Sequence, residues 1–204
     1  MIQMQMSLGE VLRLTLFGTS HGPRVGAFLE GVPAGISVDY HNLENLMSER
    51  RPGGRYASKR REPDKVEFLS GIDNGVTTGG KIEISIKNKD VRTKDYSFLP
   101  DHPRPGHQDM VMLKRTNGEA DLRGGGMSSA RLTAPIVAAS AIITPLIEQL
   151  GININAHVCS IGNIDSKPLL ECEPKWATDE CKAIRCQDKT CLLYTSDAAD
   201  DGLS

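Results

Sequence analysis

Two histidines in small-residue loops carry the side chains best suited to proton transfer in this chain. His21 lies in "GTSHGP" and His107 in "RPGHQD". Histidine moves protons near neutral pH, and loops carry function more often than regular elements do. Both are therefore candidate catalytic residues, although a single loop histidine is more often an ordinary hydrogen-bonding residue. His41, His102 and His157 have no comparable setting, and we assign them structural roles.

A glycine-rich stretch, "DLRGGGMSSAR" at 121–131, leads into an apolar helical pattern. Three consecutive glycines lose much conformational entropy on folding, so the chain requires a closely approachable backbone there. The N–H groups at a helix N-terminus bind anions, and Arg131 in the first turn is favourable only beside an anion. The stretch predicts an anion-binding loop. The equal alternative is a flexible loop with Ser128 or Ser129 as an ordinary helix cap and a solvated arginine.

A basic cluster lies between Arg50 and Lys65, where seven Lys and Arg residues face Glu62 and Asp64, a local charge of +5. Arginine binds phosphate and carboxylate through its planar fork, and a departing phosphate needs its charge neutralised and a proton supplied. Together with the histidines, the cluster favours an enzyme acting on a small phosphorylated acid. Taken singly, a solvated surface loop is the more common explanation of such a charge run.

Length and composition restrict the class of protein. The chain has 204 residues, 39% of them hydrophobic, a net charge of -2 and a pI near 6.2. These values predict a soluble globular protein and argue against a general nucleic-acid binder. No apolar run approaches the ~20 residues of a membrane span, and no secretory signal is recognisable, so we expect a cytoplasmic protein without a membrane partner. The five cysteines contain no C-x-x-C pair and receive no metal or disulfide role.

The elements that must position these residues follow from periodicity and turn signals. The pattern predicts strands at 11–17 and 25–35, and a helix capped by Asp39 that ends near Arg50. Two further strands, at 65–71 and 81–88, predict a hairpin with a long loop.

The rest of the chain is less regular. Residues 89–128 read as irregular and functional, a helix with a bend at Pro145 is expected over 129–150, and a strand over 154–162. The apolar face of that helix is expected to comprise Leu132, Ile136, Ala139, Ile143, Ile147 and Leu150. Residues 187–204, containing "LLYTSDAADD", are typical of translated adaptor sequence. We expect 1–186 to form the N-terminal part of a single domain, and 187–204 to be a non-native tail or a native disordered one.

Five motifs in one order resemble the chorismate synthase family. They are "FGTSHGPRVGAFLEGVPAGI", "RRPGGRYASKRREPDKVEFLSGI", "TTGGKIEISIKNKDVRTKDYS", "RPGHQD" and "DLRGGGMSSAR". The resemblance runs from about Leu14 to Asn163 and then fades. It implies an α+β fold, a β-α-β sandwich with helices between two antiparallel sheets, assembled as a homotetramer.

The resemblance also implies an activity. The family converts 5-enolpyruvylshikimate 3-phosphate to chorismate and phosphate by anti-1,4 elimination, in aromatic amino acid biosynthesis. The reaction requires reduced FMN without net redox change. Whether NADPH reduces the flavin on the same protein is left open by the sequence.

Site residues carry over motif by motif. The resemblance implies that His21 protonates the departing phosphate and that His107 faces the reduced flavin. It implies that Arg50 and Arg55 hold the anionic substrate or a pyridine nucleotide phosphate. Substrate contacts are expected from Ser129 and Arg131. The flavin-binding stretch corresponds to Met127, Ser128 and Ser129.

The chain also departs from the family pattern. Thr19 replaces the glutamate of the common "GESHG", and Met127 and Leu132 replace the arginine and glutamate of "GGGRSSARET". The family's second half, with a Lys-Pro-Thr-Ser-Ser flavin segment, another arginine and an acidic residue, has no counterpart here. We therefore expect this chain to be an inactive N-terminal fragment.

Two other classes of function stay open from the residues alone. One is an anion- or nucleotide-binding module whose arginines serve recognition without catalysis. The other is a nucleic-acid surface on 50–65, which the acidic total and the few aromatic residues disfavour.

Overall fold

The computed structural model describes residues 6–51, 62–91, 93–166, 176–187 and 189. Arg55, most of the basic cluster and the predicted tail beyond residue 190 lie outside the described residues. The chain divides into two compact units, one of 1–51 with 60–146 and the other of 52–59 with 147–204. The single domain over 1–186 stays a prediction.

The first unit is built on a five-stranded antiparallel sheet in the order β1-β2-β3-β7-β4. Its strands are β1 (Met6–Leu8), β2 (Arg13–Gly18), β3 (Arg24–Glu30), β4 (Val66–Ser70) and β7 (Ile82–Lys87). A small pair, β5 (Ile72–Asp73) and β6 (Val76–Thr77), fills the connection between β4 and β7. The predicted strands and the long hairpin loop are therefore confirmed.

Alternation along the strands sends one set of side chains into the core. Ile82, Ile84 and Ile86 of β7 are fully buried, and each contributes about 2 kcal/mol of apolar burial. Helix α1 (Tyr40–Arg50) packs Leu43 and Met47 into the same core. Its first turn is capped as predicted, because the Asp39 carboxylate accepts from the Asn42 N–H at 2.9 Å.

The segment predicted to be irregular contains a helix that the sequence analysis missed. This helix, α2 (Asp109–Thr116), is short and exposes Met110 and Val111, so its apolar periodicity is weak. Its boundaries do carry signals: Asp109 begins the helix, and Asn117 ends it in the left-handed conformation.

The long apolar helix begins later than predicted and buries a different face. Short 3-10 turns at Arg123–Ser128 and Ala130–Leu132 precede α3 (Thr133–Glu148), and Pro145 lies inside α3. The buried face comprises Ala134, Pro135, Ala138, Ala139, Ala141 and Ile142. The predicted face was right for Leu132 and Ala139, which are buried, and wrong for Ile136 and Leu150, which are 36% and 75% exposed. The helix is apolar on nearly every side, so periodicity alone could not identify the buried face. That face is rich in alanine, whose small side chain allows close packing in the core.

The stretch Arg123–Glu148 is apolar and long enough by composition to cross a membrane, which is weak evidence because buried core helices pass the same test. In its most apolar window, 44% of the stretch is buried. Non-helical glycines interrupt it, and the 16 residues of α3 span about 24 Å, less than a bilayer core.

The second unit contains little regular structure among its described residues. It has a two-stranded pair, β8 (Ser160–Ile161) and β9 (Ile164–Asp165), and a short helix, α4 (Asp179–Ala183). The predicted strand over 154–162 was wrong except at Ser160–Ile161, which form β8. Cys186 is disulfide-bonded, whereas Cys159 and Cys181 are free.

The fold class is confirmed as α+β, with α1 and α3 packed into one core with the antiparallel sheet.

Candidate active site

The glycine loop lies directly against both candidate histidines. Gly124, Gly125 and Gly126 all have positive φ, at 57°, 91° and 56°, which L-residues with side chains rarely adopt. A Cβ on Gly124 would stand 2.2 Å from His21 Cε1, and a Cβ on Gly125 would stand 3.7 Å from His107 Cε1. Successive Cα atoms are about 3.8 Å apart, so the two imidazoles approach neighbouring points of one loop.

Ser20 joins the loop that carries His21 to the glycine loop. Its Oγ donates to the carbonyls of Arg123 and Gly124 at 3.0 and 3.3 Å, and its N–H donates to Gly126 O at 3.2 Å. The Ser20 Oγ also lies 3.0 Å from His21 Nδ1. When the hydroxyl proton is directed at the carbonyls, Oγ accepts from Nδ1–H of His21.

A hydrogen bond between Thr19 and Asp121 also connects these two loops. The Thr19 hydroxyl donates to Asp121 Oδ2 at 2.9 Å, and Arg123 Nε donates to Oδ1 at 2.7 Å. Burial raises the pKa of Asp121, but the hydrogen bonds from Arg123 and Thr19 outweigh burial and leave this pKa below its ordinary value. The departure at position 19 therefore has a structural role, since a glutamate there would bring a second carboxylate towards Asp121.

His107 is held by the carboxylate of Asp109. Its Nδ1 lies 2.7 Å from Oδ1 of Asp109, a carboxylate that is only 1% exposed. Asp109 in turn accepts from Arg104 Nε and Nη2 at 2.7 and 2.8 Å. The His107 side chain itself is 35% exposed.

Arg131 is buried in a cluster of opposite charges rather than presented to solvent. Its Nη1 donates to Asp64, its Nη2 lies 3.9 Å from Glu62 Oε2, and its Nε donates to Asn88 Oδ1 at 2.9 Å. Arg50 Nη1 donates to the other oxygen of Asp64 at 2.6 Å. Two guanidinium groups and two carboxylates therefore balance one another, and we call Arg50, Glu62, Asp64 and Arg131 the arginine cluster.

Asn88 connects the arginine cluster to the loop that carries His21. While its Oδ1 accepts from Arg131, its Nδ2 donates to the carbonyls of Thr19 and Gly22 at 3.0 and 2.8 Å. The cluster consequently fixes the backbone on both sides of His21.

The remaining predicted residues line the entry to α3. Ser129 caps the 3-10 turn, because its Oγ accepts from Arg131 N at 3.3 Å, and its Cβ lies 3.7 Å from the position of a Cβ on Gly125. Ser128 Oγ donates to Gln108 Oε1 at 3.0 Å. Met127 is half-buried. The substrate and flavin roles of these residues stay predictions, as do those of Arg50 and Arg131.

The structure thus brings His21, His107 and Ser129 to one loop and turns Arg131 towards its own carboxylates. Sequence reasoning missed Asp64, Asn88, Tyr96, Arg104 and Asp109, although Asp109 stands two residues after His107 in a quoted motif. Among the described residues, no group of three metal-ligating side chains could hold a metal ion.

A separate concavity of about 460 Å³ lies on the face of the sheet that points away from the hydrophobic core. Arg13, Thr15, Phe28 and Lys81 contribute to its lining, and the histidines do not.

Comparison with known proteins identifies the family. The family model for chorismate synthase matches residues 12–198, past Asn163, where the motifs fade. A chorismate synthase of Aeropyrum pernix is 48% identical over 161 residues, which are 79% of this chain and 42% of that protein. One from Campylobacter fetus subsp. fetus is 45% identical over 163 residues, 80% of this chain and 46% of that protein.

A solved structure gives the same result. A crystal structure of chorismate synthase matches with a TM-score of 0.54 and 27% identity, covering 93% of this chain and 47% of the other. The chain spans less than half the length of these relatives. With the family model matching most of its residues, the chain belongs to the chorismate synthase family.

Proposed function

We propose that this chain supplies the N-terminal part of the active site of a lyase that converts 5-enolpyruvylshikimate 3-phosphate to chorismate and phosphate, in the shikimate pathway of aromatic amino acid biosynthesis. The observation that carries the proposal is the glycine loop, where Gly124 contacts His21 and Gly125 approaches His107. Family membership supports the choice of reaction.

In the proposed reaction, the C–O bond to phosphate breaks and a ring proton leaves from the opposite face. His21 is proposed to donate the Nε2 proton of its imidazolium to the departing phosphate. The hydrogen bond from Nδ1 to Ser20 orients the ring for this transfer.

Reduced FMN fits the residues at the loop. The absence of a side chain at Gly125 leaves backbone approachable beside His107 and Ser129, each of which lies 3.7 Å from the position of a Cβ there. We propose that His107, Met127, Ser128 and Ser129 hold the flavin at this point. When bound, reduced FMN supplies the electron-rich ring system that the family requires without net redox change.

The arginines are proposed to bind the anionic groups of the ligands. Arg55 lies outside the described residues and is proposed to hold the substrate or a pyridine nucleotide phosphate. Arg50 is assigned the same contacts, while one of its nitrogens is already bonded to Asp64. Ser129 and Arg131 are proposed to contact the substrate, while the guanidinium nitrogens of Arg131 already contact the Asp64 carboxylate, Asn88 Oδ1 and the Lys87 carbonyl.

Three wider proposals complete this function. We place the protein in the cytoplasm, with a homotetrameric assembly of the complete enzyme and NADPH as a source of reducing equivalents for its flavin. We also propose that the 204-residue chain alone is inactive, because it spans less than half the length of its relatives.

A chimera tests the proposed activity. Residues 1–163 would be joined to the remaining part of the Aeropyrum pernix relative, and chorismate formation measured anaerobically with reduced FMN. We expect turnover from the chimera and none from the 204-residue chain. His21→Ala and His107→Ala should each lower kcat by about 100-fold or more.

Binding of the substrate by the chimera separates catalysis from simple recognition. The lyase proposal predicts that both alanine variants still bind 5-enolpyruvylshikimate 3-phosphate while turnover is lost. A folded chimera that binds the substrate but never forms chorismate would instead favour the anion-binding module.

A further inference from the structure

We propose that the Arg104–Asp109 pair is a positioning unit for both histidines: Asp109 fixes the proton of His107 on Nδ1 and leaves Nε2 for the ligand, and Arg104 holds the ring of His21 through Tyr96. This inference rests on the proposed function, because it takes His21 and His107 as the catalytic pair.

Asp109 is the buried centre of this unit. Its side chain is 1% exposed, yet it accepts four hydrogen bonds with good geometry. The donors are Arg104 N at 3.0 Å, Arg104 Nε at 2.7 Å, Arg104 Nη2 at 2.8 Å and His107 Nδ1 at 2.7 Å. A buried carboxylate is stable only when its lone pairs are satisfied in this way.

The carboxylate of Asp109 is ionised at neutral pH. The guanidinium hydrogen bonds from Arg104 outweigh burial and hold the pKa of Asp109 well below its usual range. An ionised carboxylate accepts hydrogen bonds and donates none. The contact at 2.7 Å therefore requires a proton on His107 Nδ1, and neutral His107 has a bare Nε2.

The bare nitrogen lies on the side of the glycine loop. A Cβ on Gly125 would stand 3.8 Å from His107 Nε2, and within the described part of the chain His107 makes its side-chain hydrogen bond through Nδ1. Nε2 is thus the position at which a bound ligand could give or take a proton.

Arg104 extends the unit towards His21. Its guanidinium carbon lies 5.5 Å from the centre of the Tyr96 ring, and the Tyr96 and His21 rings meet edge to face at 4.8 Å and 78°. Arg104 Nη2 also donates to Leu122 O at 2.9 Å, at the start of the glycine loop. One guanidinium therefore contacts Asp109, the ring beside His21 and the loop between the histidines.

The test is the tautomer of His107 in the 204-residue chain. Long-range ¹H–¹⁵N correlation of the imidazole nitrogens at pH 8 distinguishes a protonated from a bare nitrogen, and His107→Gln assigns the signals. We expect His107 to carry its proton on Nδ1. A neutral His107 with its proton predominantly on Nε2 would overturn the assignment, and the tautomer itself is read in the unsubstituted chain.

Variants separate positioning from general stability. In Asp109→Ala, His107 should change to the Nε2–H form that free histidine prefers. In Arg104→Gln, the ring protons of His21 should shift, because Tyr96 loses the cation on its face. The exposed Asp101→Ala is the matched control and should move neither histidine.

An unchanged His107 tautomer in a folded Asp109→Ala would contradict the role of Asp109. Unmoved His21 signals in a folded Arg104→Gln would contradict the role of Arg104. Neither readout uses flavin, substrate or turnover, so failure of the positioning unit and failure of the proposed lyase activity are distinguishable.

Discussion

The arginine cluster and the histidine pair lie in the same unit but use charge in opposite ways. In the cluster, Arg50 and Arg131 are matched by Glu62 and Asp64, and the carboxylate of Asp64 is 1% exposed. At the glycine loop, His107 is one-third exposed and is bonded to protein through only one of its two ring nitrogens in the described contacts.

This difference separates the residues that hold the structure from the residues that can exchange protons. Buried charges that neutralise one another hold geometry, and loss of one partner leaves the other uncompensated. A partly exposed imidazole such as that of His107, oriented through one nitrogen, keeps its second nitrogen for proton exchange. Asn88 joins the two regions, since it accepts from Arg131 and donates to the loop that carries His21.

Removal of the shared carboxylate is expected to have the largest effect. Asp64→Ala leaves Arg50 and Arg131 without their common acceptor, and we expect a loss of about 3–5 kcal/mol in the free energy of unfolding. Urea denaturation followed by circular dichroism measures this loss. The exposed Asp101→Ala should change stability by less than about 0.5 kcal/mol. If the two variants were equally stable, the cluster would not support the unit.

Addition of one methyl group to the glycine loop should displace the ring of His21. Gly124→Ala places a Cβ 2.2 Å from His21 at a φ of 57°. Gly35→Ala is the matched control, because its φ is also positive, at 89°, and no heavy atom lies within 4 Å of its Cβ. We expect Gly124→Ala to be less stable than the control by about 1–3 kcal/mol, from overpacking. Only Gly124→Ala should move the His21 imidazole signals, and equal behaviour of the two variants would remove the loop from the histidine site.

The stabilisation that the ionised carboxylate of Asp109 contributes should be lost in acid. The pKa of Asp109 is lowered in the folded chain by Arg104, whereas in the unfolded chain it returns to about 4. Below that value the unfolded state binds the extra proton, so the stabilisation is fully present above about pH 5 and is lost as the pH falls towards the folded-state pKa.

Comparison of the wild-type chain with Asp109→Asn isolates this contribution from that of Asp121, which has the same sign. We expect the wild-type chain to be more stable by about 2 kcal/mol at pH 6, with the difference shrinking as the pH falls below about 4. A difference that grows in acid would reverse the sign and contradict the ionised carboxylate.

The smallest expected effect concerns the join at Thr19. Thr19→Val removes one hydroxyl donor from Asp121, which keeps its bonds to Arg123, and should cost about 1 kcal/mol. Thr19→Ser retains the hydroxyl and should restore most of the loss in thermal denaturation. A stable Thr19→Val beside a destabilised Thr19→Ser would indicate that packing of the methyl group, not the hydrogen bond, matters at this position.

The sequence was most informative where local chemistry decides structure. Asp39 and the apolar residues that follow it predicted α1 and its cap, and the alternation of Ile82, Ile84 and Ile86 predicted a core strand. The three glycines predicted a closely approached backbone, and the structure places His21 and His107 there.

Tertiary contacts decided what the sequence left undetermined. The charge count on 50–65 treats Asp64 as one of two acids in a basic surface, whereas burial makes it the common partner of Arg50 and Arg131. Periodicity identified only part of the buried face of this helix, because an almost entirely apolar helix offers several faces and the one rich in alanine packs into the core.

The most direct measurement is a nuclear Overhauser experiment on the isotope-labelled 204-residue chain, which tests whether both histidines share one glycine loop. The account predicts cross-peaks from the ring Hε1 of His21 to the Hα protons of Gly124, and from the ring Hε1 of His107 to those of Gly125. A folded chain that shows one histidine at the loop and the other remote from it would contradict a common site.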